Sequence, residues 1–167
     1  DTRDNQNSPS SGSRFNINNV AYRQSFGGDV SFDAYALSFS KYIGHGNGHV
    51  LAGRVNGRWT NNAPPSGYST IMLRGYTMGQ FLARHSTLFE IEERLHIRDR
   101  WGATAFVGAA CLYGDGKACD ERTNWYPAAG AGITYVLKPE EKMIARAELA
   151  AGKGENFGFY MKFGYEF

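Results

Sequence analysis

The segment from Glu155 to Phe167 reads ENFGFYMKFGYEF and alternates with a period of two. Phe157, Phe159, Met161, Phe163, Tyr165 and Phe167 take the odd positions; Asn156, Gly158, Tyr160, Lys162, Gly164 and Glu166 take the even ones. Successive side chains of a strand project to opposite faces, so this segment predicts a strand with one face against an apolar medium and the other against water. Phe163, Tyr165 and Phe167 in step, with an aromatic residue last, form the pattern of the closing strand of a bacterial outer-membrane β-barrel. That reading is preferred here to a soluble β-sandwich.

The same alternation recurs upstream. Met143, Ala145, Ala147, Leu149 and Ala151 alternate with Ile144, Arg146, Glu148 and Ala150, and residues 129–137 precede them across the turn Lys138-Pro139-Glu140-Glu141. Residues 101–113 and 86–97 read as two further crossings, with Glu93 breaking the pattern of the second. Strands are also predicted around 51–59, 31–43 and, less regularly, 14–26, for a total of eight antiparallel crossings. The expected architecture is an all-β transmembrane barrel over 14–167, following a polar N-terminal tail over 1–13 that has the look of a mature N-terminus or a domain cut. An even strand count puts both termini on the periplasmic side and the long connections, 60–85 and 114–124, outside.

Composition agrees with many strands and tight turns: 21 glycines and 14% aromatics in 167 residues. No stretch approaches the roughly 18 apolar residues of a spanning helix, but a barrel escapes that test because only alternate residues face lipid. The formal charge of +2 and the absence of Lys/Arg runs leave no electrostatic footprint for nucleic acid, and no nucleic-acid partner is expected. Outer-membrane lipid is the expected environment. Tyr22, Tyr42, Trp59, Trp101, Tyr113 and Trp125 fall near strand ends, where aromatic girdles meet headgroups.

The inward set is charged. Arg54, Arg58, Arg94, Arg146 and Lys162 face Glu90, Glu92, Glu148 and Glu166, and such charges must pair because burying one alone is costly. Cys111 and Cys119 bracket a short loop, and in an oxidising compartment a disulfide is the preferred reading over two free thiols. Two thiols make a poor metal cage, and His45, His49 and His96 read as structural or solvated, so no metal or cofactor is expected.

Residues 71–76, IMLRGY, lie within the long loop, followed by EERLHI and then WGATAFVGAA. In this order they resemble the C-terminal half of the surface-antigen family of outer-membrane assembly and secretion barrels, which includes the protein insertase, two-partner secretion translocators and patatin-fused barrels. The resemblance covers about residues 14–167. It implies that Leu73-Arg74-Gly75-Tyr76 dips back into the barrel and that Arg74 meets an acid at Glu92. The family's second acid is absent, Gly108 standing in Phe106-Val107-Gly108-Ala109-Ala110, with Glu90 or Glu148 available as substitutes.

The resemblance implies a scaffold, translocation or insertion component without enzymatic activity. Its relatives have sixteen strands, whereas an eight-stranded barrel has room inside only for side chains. Either the loop stays outside a closed barrel, or a second copy of the chain or another partner completes a wider one. Two other readings stand beside it: a closed structural or adhesive surface barrel, and a lipid hydrolase or acyltransferase using His85, Ser86 and Glu90. The last requires adjacent strand residues on opposite faces to meet.

Overall fold

The computed structural model describes residues 1–164; Tyr165 and Phe167 of the C-terminal signature, with Glu166, lie outside the described residues. The chain forms ten strands and three 3-10 turns: β1 Gly12–Tyr22, β2 Phe32–His45, β3 His49–Asn61, β4 Ser69–Thr70, β5 Leu82–Ala83, β6 His85–Arg98, β7 Trp101–Tyr113, β8 Trp125–Lys138, β9 Met143–Gly152 and β10 Phe157–Phe163. Eight of them form one antiparallel meander in the order β1-β2-β3-β6-β7-β8-β9-β10, and β4 pairs with β5 as a small ribbon inside the loop between β3 and β6. The expected all-β architecture and the eight long strands are thus observed. The predicted first strand ends early, at Tyr22, because Gln24–Phe26 turns into a 3-10 segment closed by Gly27 in the left-handed region.

β1 and β10 are the edges of the sheet, and no ladder joins them among the described residues. Among the described residues, then, the eight strands form an open sheet. The loop lies against the sheet's inner face, where Ile71, Leu73, Tyr76 and Ala83 join Leu88, Phe106, Leu112 and Tyr126 in the main buried cluster. An eight-stranded closure would leave no space for it.

The two faces of the sheet differ as the alternation predicts. Phe15, Ile17, Phe39, Val55, Phe89, Val107, Ile133, Leu149, Phe159 and Met161 all stand exposed on the outer face. Glu90, Glu92, Arg94, Arg146 and Glu148 are buried on the inner one. Tyr22 and Tyr42 belong to the inner face, contrary to the girdle assignment: Tyr22 stacks on Phe32 at 4.2 Å, and Tyr42, 2% exposed, lies under the Arg94 guanidinium. Their register parity decides this, since Tyr22 pairs with Phe32 and Tyr42 with Ala52, both inward residues. Glu93, the residue out of pattern, faces outward, and its carboxylate lies 2.8 Å from His45 Nε2, so an acid does stand beside one of the histidines.

Connections sort by length between the two ends of the sheet. The turns at 46–48, 99–100 and 139–142 are at one end; 23–31, 62–84, 114–124 and 153–156 are at the other. The first eleven residues, expected as a mere polar tail, fold back across the short-turn end. Pro9 is fully buried and its carbonyl accepts from Arg94 Nη1 at 3.2 Å. Asp4 takes the amides of Ser10 and Ser11 at 2.8 and 3.0 Å and the Ser10 hydroxyl at 2.5 Å, and lies 3.7 Å from Lys142 Nζ on the turn between β8 and β9.

Partial burial pushes the Asp4 carboxyl up, but the hydrogen bonds from Ser10 and Ser11, with Lys142, outweigh it and hold the group well below the usual carboxylate range. A depressed folded-state pKa contributes stability that is present above the unfolded value near 4 and is lost as pH falls below it. Asp4→Asn at neutral pH, or the wild type taken below about pH 4, is therefore expected to speed amide exchange at Thr2, Ser11 and Ser13 while leaving β6–β9 unchanged. Unchanged exchange in both conditions would contradict this account of the tail.

Candidate functional site

The inner faces of β7, β8 and β9 carry small residues, Gly108 and Ala110, Ala128 and Gly130, and Ala150 and Gly152, with Gly108, Ala128 and Gly152 in one register row across the three strands. They make a shallow floor onto which the loop 62–84 docks. At Gly108 an added Cβ would come within 2.7 Å of the Phe89 carbonyl oxygen and 3.1 Å of Leu73 Cδ1. The position at which the resemblance leads one to look for a second acid is thus occupied by the loop's own leucine.

Each residue of Leu73-Arg74-Gly75-Tyr76 is held separately. Leu73 is in the apolar cluster, 3% exposed. Gly75 has φ +96°, a conformation costly for any side-chain-bearing residue, and its amide donates to Tyr160 Oη on β10 at 2.8 Å. The Tyr76 hydroxyl donates to the Pro127 carbonyl at 2.6 Å and accepts the Lys153 amide at 2.6 Å. The motif therefore spans from β8 to β10.

Arg74 is the centre of the arrangement. Its Nη1 lies 2.8 Å from Glu92 Oε2 and 3.0 Å from both Glu148 carboxylate oxygens, its Nη2 bonds Glu90 Oε1, and its guanidinium stacks 3.7 Å over the Phe106 ring. The expected Glu92 contact is present, and both proposed substitutes for the missing acid take part. Three more arginines close the network. Arg54 reaches Glu90 at 3.2 Å, Arg94 reaches Glu92 at 2.7 Å, and Arg146 bridges Glu92 and Glu148. The Thr104 hydroxyl donates to Glu148 at 3.0 Å. The three carboxylates have fully buried side chains, so each depends on these donors for the solvation that water would otherwise give.

Outside the sheet the loop is braced by the hairpin 111–119. Cys111 and Cys119 form the expected disulfide, with a Cα–Cα distance of 6.0 Å. At the hairpin's tip Asp115 accepts the Tyr68 hydroxyl at 2.6 Å and pairs with Arg84 at 2.7 Å, both from the long loop. The hydrogen bond from Tyr68 and the charge of Arg84 hold the Asp115 carboxyl below its ordinary range.

His85 and Ser86 sit on opposite faces of β6, as alternation requires. His85 Nδ1 accepts the Thr60 amide at 3.3 Å and its ring lies 5.2 Å from Tyr113, whereas Glu90 is committed to Arg54 and Arg74. The structure does not bring these three together. No group of three or more His, Cys, Asp or Glu side chains suited to a metal occurs among the described residues. Sequence reasoning missed Tyr160, Phe106, Tyr68 and Asp115; of the loop's docking surface, the small-residue inward faces of β7–β9 were the available signal.

No family model matches the chain, and no curated protein matches it.

Arg74→Ala is expected to cost about 3–5 kcal/mol, the penalty for removing one partner from a buried ion network. Arg74→Lys, which keeps the charge and loses the planar fork, falls between Ala and wild type. Urea midpoints with a constant slope measure both. Replacing both cysteines by serine is expected to cost about 2–3 kcal/mol by loop entropy and to speed proteolytic nicking within 60–85, the loop that the hairpin braces.

Proposed function

We propose that the chain is the membrane-embedded sheet of a bacterial outer-membrane β-barrel, with its short turns and both termini in the periplasm, serving as a scaffold, translocation or insertion component of the assembly and secretion kind. The observation that carries this reading is the inward-docked loop: a long external connection folds back along a polar inner face and is fastened by Arg74 to carboxylates on two separate strands. A loop held this way is a luminal plug. It narrows a passage while leaving the strands around it intact.

Lipid exposure is supported by the outer face. Phe159, Met161 and Phe163 are 61%, 74% and 77% exposed, and they continue an apolar wall across all eight strands, far larger than a soluble monomer tolerates. Aromatic residues bound that wall. Trp59 Nε1 donates to Tyr113 Oη at 2.5 Å near the long-loop end, and Trp101 packs on Tyr135 at 4.9 Å near the short-turn end. The 13 residues of β7 between Trp101 and Tyr113 climb ~40 Å along the strand and ~30 Å once tilted by roughly 40°, about the thickness of a bilayer's hydrocarbon core.

In lipid the edges of β1 and β10 must be satisfied by strands, because unpaired backbone groups have no water to turn to. A second copy of the chain or another barrel segment fits that requirement, and either gives the plug the lumen it occupies. A closed adhesive barrel of eight strands has no such lumen.

The protein reconstituted in planar bilayers is expected to show small or rare openings, and Arg74→Ala or deletion of 69–83 large and stable ones. In detergent, the protein mass by light scattering is expected near twice 18.5 kDa where a second copy completes the barrel. Silent bilayers for all three proteins would overturn the plug reading.

A further inference from the structure

The plug loop covers only part of the inner face. It packs on β6–β9 and leaves a cavity of ≈ 300 Å³ between itself and the inner faces of β1, β2 and β3. That volume is at the lower end of the range for small-molecule sites. Its lining is chemically mixed. Asn16, Ser38 and Asn56 stand in one register row across three strands, and Asn18 occupies the next position along β1 on the same face. The side chains of these four make no hydrogen bond within the protein among the described residues. Met72, Leu88 and Ala110 supply an apolar patch on the other side.

Arg58 lines the same cavity and differs from the arginines below it. Arg54, Arg74, Arg94 and Arg146 share Glu90, Glu92 and Glu148, four cations to three carboxylates. Arg58 adds a further cation, with no carboxylate partner among the described residues. Its described hydrogen bonds both leave from Nη1, to the Gly67 carbonyl at 3.0 Å and to Ser69 Oγ at 3.2 Å. Those two bonds fix the guanidinium's position against the loop. The charge itself remains to be matched.

We propose that this cavity is a binding site for an acidic sugar, a hexose-sized ring bearing one phosphate, taken either as a free sugar phosphate or as the phosphosugar of a lipid headgroup. The guanidinium offers the planar fork that a phosphate accepts from two nitrogens at once. The amides of Asn16, Asn18 and Asn56 and the hydroxyl of Ser38 each donate and accept, as ring hydroxyls require. The patch of Met72, Leu88 and Ala110 suits the C–H face of the ring. A bare inorganic anion would use Arg58 and leave the amide row without a role. A neutral sugar would leave the guanidinium without one.

The test is calorimetric titration of the intact protein in detergent micelles with glucose 1-phosphate, glucose, inorganic phosphate and monophosphoryl lipid A. Saturable binding of glucose 1-phosphate is expected, with glucose and phosphate each at least about tenfold weaker. Arg58→Gln is expected to weaken it by about tenfold or more. Asn56→Leu, which removes an amide without touching the charge, is expected to weaken glucose 1-phosphate and leave inorganic phosphate unchanged. Both variants are checked for wild-type sheet content by circular dichroism, and either one alone suffices to test the site. Lipid A binding tighter than the free sugar phosphate assigns the ligand to a lipid headgroup; tighter binding of the free form assigns it to a soluble sugar. Equal affinity for phosphate and glucose 1-phosphate overturns the sugar half of the proposal. Absence of saturation with both phosphosugars, or binding unchanged in Arg58→Gln, overturns it whole.

Discussion

Four arginines and three glutamates share one buried volume on the inner face of the sheet, and the placement of the rest follows from their need for each other. A carboxylate taken out of water is expensive unless donors replace the water. Glu90 and Glu92 come from β6 and Glu148 from β9, so satisfying all three requires the sheet to curl until two strands three ladders apart face one guanidinium. The arginine that joins them belongs to no strand. It is delivered by a loop, and the loop must therefore fold back from the long-loop end of the sheet onto its inner face.

The packing around the network is consistent with that demand. Gly108, Ala128, Gly130 and Ala150 clear a floor under the loop, Phe106 offers its ring face to the Arg74 guanidinium, and Gly75 permits the backbone turn that aims Arg74 at the acids. The same device that fills one side of the inner face leaves the other side open. Where β6–β9 are covered, their inward residues are small, ionic, or apolar side chains packed with the loop. Beside the cavity on β1–β3, Asn16, Asn18, Ser38 and Asn56 offer amides and a hydroxyl that water can serve.

Much of this was legible in the sequence. A period of two sorts residues by medium, and it placed nearly every inward charge and outward apolar residue of the eight long strands. The Leu73-Arg74-Gly75-Tyr76 motif and Glu92 were legible through their order along the chain. Alternation places no residue outside a strand, which is why the strap formed by residues 1–11 and the brace at Asp115 were invisible: each depends on hydrogen bonds between segments that no period relates. Tyr22 and Tyr42 went to the wrong face because nearness to a strand end was weighed above register parity. The reading that left the long loop outside was corrected by its docking on the inner face, and no β1–β10 ladder closes the sheet among the described residues.

The meander and the network impose different clocks on folding. Every ladder of the sheet joins strands adjacent in the meander, and most of these are hairpins closed by a few residues, which form early because their loop entropy is small. The contact between Arg74 and Glu148 spans 74 positions and carries a far larger loop-closure cost than any hairpin of the sheet. By contact order alone, the hairpins are expected to form before the loop seats on the inner face, so strand pairing and loop docking are separable steps.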